Sequence, residues 1–296
     1  MPLKVILFGS NGQVGREFSA IAENDPAIDL IETPRSTVDL SSPGDAADFI
    51  KHHQPGAIVN AAAYTAVDKA ETEQDLAWRL NAEAPAEIAG AANDVGARLL
   101  HISTDYVFPG TSEKLLVESA ALDPVNFYGS SKLAGEVKVQ NICSNAVTLR
   151  TSWVFSVNGS NFIKTMLRLA ETRRELTVVN DQIGGPTSAA SIAAACRKII
   201  GLSNGPTGVF HFQGAPHVSW ADFARAIFEV AGLDVSVTNI PTSKFPTPAA
   251  RPLITRLDCS AIKDAFGIDQ PDWHSDLTTV MTALSKAEEN KEASTS

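Results

Sequence analysis

Through its first half, the chain alternates short apolar runs, rich in Val, Ile and Leu, with longer stretches of helical pattern. Strands of that composition, separated by helices, are typical of a parallel sheet that is covered by helices on both faces. The pattern therefore predicts a doubly wound α/β fold. The predicted strands are 4–8, 30–33, 57–61, 98–103 and 146–151, and the predicted helices are 13–22, 43–53, 75–95 and 127–141.

The second half has a looser pattern, in which strands and helices mix with proline-bearing loops. We expect a first domain over residues 1–157, completed by later core elements from about 176–212. Residues 158–296 then form mainly a smaller C-terminal α/β lobe with a discontinuous boundary, and the polar residues 287–296 a flexible tail. The predicted strands here are 176–179, 209–212 and 235–240, and the predicted helices are 161–171, 188–200, 219–230 and 273–284.

Composition limits the partners of the chain. Its 296 residues carry a formal net charge of -10 at pH 7, which is poorly suited to nucleic acid or to an anionic membrane surface. No run approaches the ~18 apolar residues of a membrane-spanning helix. The three cysteines lie far apart without CxxC spacing, so we expect reduced thiols in a cytoplasmic protein.

Glycines mark the turn that follows the first predicted strand, in the run Gly9-Ser10-Asn11-Gly12-Gln13-Val14-Gly15. Glycines permit a tight turn and let the backbone approach a pyrophosphate, which the N-terminus of the following helix attracts. The turn could be a plain strand–helix connection, but its place at the first βα turn favours cofactor binding. The first domain is therefore expected to bind a dinucleotide, and the C-terminal lobe a substrate. The expected contacts are Gly9, Asn11, Gly12, Gln13, Val14 and Gly15.

The tip of the second predicted strand usually decides between NADH and NADPH. A carboxylate there binds the ribose 2′-hydroxyl, whereas an arginine accommodates a 2′-phosphate. This chain has both Glu32 and Arg35. An Arg35 that points at the ribose favours NADPH, whereas an Arg35 that only solvates its loop leaves NADH open. The loop after the second strand could frame the adenine, and small residues after the third leave room for a ligand. Further cofactor contacts are thus predicted at Asp39, Leu40, Ala62, Ala63, Tyr64 and Thr65.

Tyr128 and Lys132 lie four residues apart in a predicted helix, so both side chains lie on one face. A free tyrosine has a pKa near ~10, and an adjacent cation is expected to lower it towards neutral pH. Thr104 follows the fourth predicted strand, where open α/β sheets bind ligands, and its hydroxyl could bond a substrate carbonyl. The alternatives are a solvated Lys132 and a Thr104 that only ends its strand. Tyr128, Lys132 and Thr104 are the candidate catalytic residues, and Tyr128 and Lys132 are candidate cofactor contacts as well.

Several of these stretches carry a resemblance to a known family. Residues 9–15, 60–71, 103–108 and 128–136 together resemble the extended short-chain dehydrogenase/reductases, which have a Rossmann-type fold. Within them the chain is most similar to the dTDP-4-dehydrorhamnose reductase family. Supporting runs are 149–155, 179–187 and 246–252, so the resemblance covers nearly the whole chain.

The resemblance implies a reaction in which NAD(P)H gives hydride to C4 of dTDP-4-dehydro-L-rhamnose and yields dTDP-L-rhamnose, a nucleotide sugar for polysaccharide synthesis. It implies that Tyr128 protonates the developing alkoxide, that Lys132 tunes this phenol and holds the nicotinamide ribose, and that Thr104 assists at the carbonyl. By the same resemblance, the substrate contacts are Thr104, Asp105, Tyr106, Trp153 and Arg251.

Two departures from the family pattern bear on ligand contacts, metal binding and dimerisation. Position 64 is Tyr where many relatives have His. Some relatives bind Mg²⁺ through glutamates at a dimer interface; Glu17 is present here, but residues 188–191 lack an acidic partner. We therefore predict no metal and leave monomer and homodimer open. Other possible functions are another nucleotide-sugar reductase or epimerase of the same fold, or a non-catalytic regulatory subunit that binds NADP.

Overall fold

A parallel sheet of six strands organises the computed structural model, which describes residues 1–295. In chain order, the strands are β1 (Leu3–Phe8), β2 (Ile28–Thr33), β3 (Ala57–Asn60), β4 (Arg98–Thr104), β5 (Ala146–Thr151), β6 (Val154–Phe155), β7 (Glu175–Val179), β8 (Ile183–Gly184), β9 (Thr187–Ser188), β10 (Gly208–His211), β11 (Val218–Ser219) and β12 (Ser236–Ile240). The large sheet has the order β10-β5-β4-β3-β1-β2, and its neighbouring strands are all parallel. The strands predicted in the first half all belong to it.

Helices cover both faces of this sheet. In chain order, they are α1 (Gln13–Glu23), α2 (Asp45–His53), α3 (Val67–Ala70), α4 (Gln74–Trp78), α5 (Ala84–Val95), α6 (Phe127–Ile142), α7 (Phe162–Ala170), α8 (Ala189–Ile200), α9 (Trp220–Ala231), α10 (Ser260–Phe266) and α11 (Trp273–Thr295). α1 and α8 pack together on one face, and α2, α5 and α6 pack side by side on the other.

Strand β1 shows how the sequence produces two cores. Side chains alternate across a strand, so Val5 and Leu7 join the core under α1 and α8, while Ile6 and Phe8 join the core under α2 and α5. All four are buried. A strand that is apolar on both faces requires helices on both sides, and the predicted doubly wound α/β fold is confirmed.

The helix predicted over 75–95 is instead three consecutive segments. α4 leads into a π-helical turn, Arg79–Glu83, which leads into α5. The buried Asn81 lies in the π turn, where its side chain accepts a hydrogen bond from the Tyr64 N–H and donates one to Ser131 Oγ. Helical periodicity does not reveal such a turn, because the bonds that stabilise it come from other parts of the chain.

A third core joins α7, α9 and α11 around Phe155, Phe223 and Trp273. The parallel pair β7 and β12 borders this region, and the pairs β6–β9 and β8–β11 connect it to the large sheet. α11 continues past the predicted end at residue 284 and through the part of the expected tail, 287–295, that is described; Ser296 lies outside the described residues. Over the described part of the chain, none of the helices combines the length and apolar character that a bilayer crossing needs.

Candidate active site

The carboxyl ends of β1, β3, β4 and β5 border a cleft of about 750 Å³. Parallel sheets bind their ligands at this edge, and the predicted catalytic residues Thr104, Tyr128 and Lys132 all line the cleft. The other predicted site residues that line it are Gly9, Asn11, Gly12, Gln13, Val14, Ala62, Ala63, Thr65, Asp105, Tyr106 and Trp153.

The glycine turn lines part of the cleft, and the local backbone explains why glycine stands at each of its positions. Gly9 has a φ of 82°, and a Cβ there would lie 2.6 Å from the Ala62 nitrogen. The Gly12 N–H donates to the Gly9 carbonyl at 2.9 Å, and α1 begins at the next residue. A Cβ on Gly15 would lie 2.1 Å from the Gly9 oxygen, so Gly15 packs inside the turn instead of lining the cleft. The glycines therefore keep the turn tight, and Gly12, Gln13 and Val14 at the start of α1 line the cleft, where the free N–H groups of a helix N-terminus favour an anion.

A smaller cavity of about 190 Å³ continues from the glycine turn past the tip of β2. Arg35, Asp39 and Leu40 line it, together with Ala62 and Ala63, which it shares with the cleft. Arg35 has a side chain 79% exposed, and its Nε lies 3.5 Å from Asp39 Oδ1. Hydrogen bonds from Ser41 hold the pKa of Asp39 below its usual range. The guanidinium of Arg35 thus remains largely solvated and can reach a ligand in this cavity.

The first turns of α6 position the candidate catalytic pair, Tyr128 and Lys132. Asn126 caps the helix, its Oδ1 accepting from the Gly129 N–H at 2.7 Å. A Cβ on Gly129 would lie 2.2 Å from the Tyr106 carbonyl oxygen, so glycine allows α6 to approach the end of β4. Tyr128 is 9% exposed and Lys132 2% exposed, and one helical turn separates them on the same face.

Burial controls the protonation of both groups. Burial raises the pKa of Tyr128 to about 12. The charge of Asp105 acts in the same direction, whereas the Thr104 hydroxyl lowers the pKa. Burial lowers the pKa of Lys132 to about 8, against the charge of Glu136, and Lys132 Nζ donates to the Ile102 carbonyl at 2.8 Å. The expectation that Lys132 lowers the pKa of Tyr128 is wrong for the protein alone, because burial disfavours the phenolate and the charge of Asp105 adds to that effect.

Asp105, Tyr106 and Trp153 line the cleft as well. Asp105 is buried, which raises its pKa to about 6 against hydrogen bonds from Thr255 and Thr104. Trp153 has a φ of 46°, unusual for a bulky residue, and its ring stacks on Trp220 at 3.5 Å with an interplanar angle of 7°. Held in this way, the indole presents a flat apolar wall beside a carboxyl group.

Two further predicted residues lie away from the lining of the cleft. The Tyr64 hydroxyl donates to Glu73 Oε2 at 2.7 Å, and its backbone bonds to Asn81 on both sides. Arg251 forms an ion pair with Asp68, with Nη1 2.9 Å from Oδ1, and also donates to the Ala249 carbonyl. Both side chains therefore already have polar partners.

Several lining residues were missed by reasoning from the sequence, Thr151 and Trp220 among them. Thr151 ends β5 in register with Thr104 on β4, so the shared strand edge was a signal that could have found it. Trp220 reaches the cleft from α9, and no pattern in the sequence indicates that approach.

The cleft fits a dinucleotide by its polar groups as well as its shape. The hydroxyls of Ser103 and Thr151 line it, are buried, and have no hydrogen-bond partner among the described residues. Buried polar atoms without partners are rare in proteins, so these two are available to a ligand. The glycine cradle at one end and Lys132 near the middle add the N–H groups and the positive charge that such a cofactor requires.

The residues considered for a metal have other contacts. Glu17 Oε1 accepts hydrogen bonds from Ser156 and Asn158, at 2.7 and 3.1 Å. The hydroxyls of Ser188 and Ser191 both donate to Asp276. Among the side chains that the structure describes, no group of three or more His, Cys, Asp or Glu is arranged to hold a metal ion.

Comparison with known proteins gives one consistent result. The model of the family described as "RmlD substrate binding domain" matches residues 3–286. A dTDP-4-dehydrorhamnose reductase from Shigella flexneri is 42% identical over 294 residues, covering 95% of this chain and 98% of the relative.

Solved structures agree with the sequence relatives. A dTDP-4-dehydrorhamnose reductase from Clostridium acetobutylicum has a TM-score of 0.92 at 36% identity, covering 96% of this chain and 100% of that one. A dTDP-4-dehydrorhamnose reductase from Bacillus anthracis, solved in complex with NADP, has a TM-score of 0.90 at 35% identity, with the same coverage.

Proposed function

The chain belongs to the RmlD substrate binding domain family, and on that basis we propose that it reduces the C4 keto group of dTDP-4-dehydro-L-rhamnose with NAD(P)H. The product of this reaction is dTDP-L-rhamnose. The observation that carries the proposal is a single cleft lined by Tyr128, Lys132 and Thr104 together with the glycine turn and with Asp105 and Trp153.

Tyr128 is the proton donor in this proposal. Reduction of a ketone adds a hydride to carbon and a proton to oxygen, so the acid must hold its proton before the reaction. Burial raises the pKa of Tyr128 to about 12, and the phenol is therefore protonated at neutral pH. Thr104 lines the same cleft as Tyr128, and its hydroxyl would bond the same substrate oxygen.

Lys132 supports the phenolate that remains after proton transfer. Its pKa of about 8 leaves the ammonium largely charged at neutral pH, and a cation one helical turn away stabilises a negative phenolate. The bond from Nζ to the Ile102 carbonyl fixes this charge against β4. Lys132 and Tyr128 would also hold the nicotinamide ribose.

The cofactor fits along the cleft and into the smaller cavity. When bound, it supplies the hydride that C4 accepts. Gly9, Asn11, Gly12, Gln13 and Val14 would hold its pyrophosphate, with Gly15 closing the turn behind them. Ala62, Ala63 and Thr65 would flank the chain of the cofactor, and Asp39 and Leu40 would frame the adenine.

Arg35 favours NADPH over NADH. Its guanidinium lines the cavity at the tip of β2, and Glu32 is not among the described residues that line it. A cation at this place suits a 2′-phosphate. The Bacillus anthracis relative was solved with NADP, which agrees with this preference.

The sugar would lie against Asp105, Tyr106 and Trp153, which line the end of the cleft nearest Tyr128. Arg251 remains a substrate candidate only if a phosphate competes with Asp68 for its guanidinium. Tyr64 would meet the cofactor through its backbone, since its hydroxyl is bonded to Glu73.

The test is a turnover assay. Purified protein is incubated with dTDP-4-dehydro-L-rhamnose and either NADPH or NADH, and loss of the absorbance band of the reduced nicotinamide is followed. We expect consumption with both cofactors and a higher kcat/KM with NADPH. The same 4-keto sugar on another nucleotide measures selectivity for the base. Binding of NADPH without any consumption would overturn the proposal and leave a non-catalytic binding protein.

A further inference from the structure

A buried polar network lies beneath the substrate end of the cleft, and Gln213 is its centre. Gln213 is 0% exposed and follows β10. Its Nε2 donates to Ser152 Oγ at 2.6 Å and to the Thr255 carbonyl at 2.8 Å. Its Oε1 accepts from the Leu257 N–H at 2.8 Å. One amide therefore joins three segments that are distant in sequence.

Thr255 connects this network to Asp105. Its hydroxyl donates to Asp105 Oδ2 at 2.5 Å, while Thr104 donates to Oδ1 at 3.2 Å. Thr255 is 2% exposed, and its own N–H donates to the Ile183 carbonyl at 2.9 Å. The carboxylate is thus held from two sides, and one of the two donors lies 150 residues away in the sequence.

Ser152 connects the network to Trp153. The Ser152 hydroxyl donates to the Gly185 carbonyl at 2.7 Å while it accepts from Gln213. The next residue is Trp153, whose φ of 46° turns its indole over Gly184, where a Cβ would lie 2.8 Å from the ring. The unusual backbone of Trp153 is therefore fixed by its neighbour.

The packing leaves Gln213 little freedom. A Cβ on Gly185 would lie 2.5 Å from Gln213 Cγ, and one on Gly214 would lie 1.9 Å from the Pro186 carbonyl oxygen. Such close approach requires glycine on both sides of the amide. A side chain packed this tightly with all its polar atoms bonded has one conformation, and it transmits that rigidity to its partners.

Building on the proposed function, we propose that Gln213 and Thr255 are positioning residues that hold Asp105 and Trp153 in fixed relation across the substrate end of the cleft. Asp105 and Trp153 touch the sugar in that function, whereas Gln213 and Thr255 act through them. The sugar then meets Tyr128 in one orientation because its two walls move as a unit.

The ionisation of Asp105 supplies a readout. Burial raises its pKa to about 6, and the hydrogen bonds from Thr255 and Thr104 oppose that rise. The titratable groups that face it are Tyr106 on its own turn and Tyr128 on α6, whose pKa values its charge raises. The charges of the Arg251–Asp68 ion pair affect the pKa of Tyr106: Arg251 lowers it and Asp68 raises it. Removal of the Thr255 hydroxyl deletes one opposing bond, so the pKa of Asp105 rises.

The first experiment needs no substrate. The carboxyl signal of Asp105 is titrated by carbon-13 NMR in the wild-type protein, Thr255→Val and Thr255→Ser, and Asp105→Asn assigns the signal. Valine matches threonine in shape and leaves the backbone bonds to Ile183 and Gln213 in place. We expect the pKa in Thr255→Val to rise by roughly half to one unit, and Thr255→Ser to keep the wild-type value. Equal values in all three proteins would overturn the proposal.

The second experiment measures turnover against pH. In Thr255→Val we expect KM for the sugar to increase by about threefold to tenfold, with KM for NADPH unchanged. The acid limb of kcat/KM should move to higher pH with the carboxyl titration, and Thr255→Ser should restore both. A reduced kcat at unchanged KM and unchanged pH profile would contradict the positioning role, since general loss of structure gives that result.

Gln213→Leu provides an independent variant. It removes the bonds to Ser152 and to the 255–257 segment together, so we expect the stacked Trp153–Trp220 pair to loosen and indole fluorescence to change. If this variant does not fold, the Thr255 pair still decides the question. A wild-type protein without turnover would refute the proposed function alone, because the carboxyl titration remains informative. If the wild-type protein is active and Thr255→Val keeps the same Asp105 pKa, the same KM for the sugar and the same pH profile, only the present inference is refuted.

Discussion

At the scale of single residues, the charge of Asp105 and the burial of Tyr128 both favour the protonated phenol. This direction suits a reductase, which must begin each turnover with its acid loaded. A phenol with a pKa of about 12 is a weak acid, so the developing alkoxide must be more basic still, as alkoxides are. In the proposed mechanism, the charge of Lys132 would stabilise the phenolate that proton transfer leaves behind.

We expect Tyr128→Phe to lower kcat by about 10² to 10⁴, the range that general acids contribute. The ring is retained, so affinity for NADPH should change little. Lys132→Ala should reduce both turnover and cofactor affinity, because one ammonium serves both. Steady-state kinetics and fluorescence titration with NADPH measure the two effects, and unchanged turnover in Tyr128→Phe would refute its role as the acid.

Arg35→Ala should change the cofactor preference. Loss of a cation that bonds the 2′-phosphate is expected to raise KM for NADPH by roughly tenfold and to leave KM for NADH within about twofold. Asp39→Asn is the matched control, since it removes the ion-pair partner of Arg35 and keeps the cation. Equal effects on both cofactors would show that Arg35 only shapes its loop.

The sequence predicted which residues line the cleft better than it predicted their protonation. The spacing of Tyr128 and Lys132, and the strand end at Thr104, place all three at one cleft because helix and strand periodicity are local properties. The pKa of Tyr128 depends on burial by distant segments, which no local pattern reports. Gln213 and Thr255 carry no motif for the same reason.

At the scale of elements, α6 lies closer to its neighbours than ordinary side chains permit. A Cβ on Gly135 would lie 2.0 Å from the Asn81 carbonyl oxygen in the π turn. The buried ion pair of Arg150 with Glu136, with Nη2 2.7 Å from Oε2, ties the same helix to β5. α6 is thus held on both sides at the level of Lys132.

Gly135→Ala should therefore destabilise the protein although alanine favours helices. The clash with backbone forces α6 away from the π turn, and overpacking of this kind typically costs about 1–3 kcal/mol. Gly90→Ala in α5 is the control, because its Cβ would come no closer than 3.9 Å to Ile142 and should stabilise by about 0.5–1 kcal/mol. Urea unfolding measures both; a stabilised Gly135→Ala would contradict the close approach.

Elements differ in how far the sequence determines them. The strands of the large sheet were predicted within two residues at each end, because strands buried on both faces form continuous apolar runs. The short strands β6, β8, β9 and β11 were not predicted, since two residues are too few to show a period. The π turn arises from contacts of Asn81 and so lies beyond a local pattern.

At the scale of the whole molecule, buried neutral histidines couple folding to pH. Burial lowers the pKa of His211 from 6.5 to about 3, and it lowers that of His101 well below its usual value. The unfolded chain takes up protons first as the pH falls through about 6.5, so stability is lost on acidification. Asp105 acts in the opposite direction, because its pKa is raised in the folded protein.

His211→Gln isolates one of these contributions. At about pH 5.5, one unit below its unfolded pKa, His211 costs about 1.4 kcal/mol relative to neutral pH. The variant should therefore lose less stability than the wild-type protein between about pH 7.5 and 5.5, whatever its absolute stability. Urea unfolding at the two pH values gives the difference, and parallel losses would show that His211 is protonated in the folded state.

The position of β10 has a consequence for synthesis. β5 lies inside the sheet only because Gly208–His211 pairs with it, and residues 152–207 must be translated between the two strands. A nascent chain that ends before residue 208 therefore exposes a row of unpaired backbone groups along an apolar strand, the kind of edge that recruits other chains. We expect ribosome-stalled chains to resist protease over residues 1–151 only after β10 has emerged, because a strand encoded late in the message completes the sheet that the earlier strands begin.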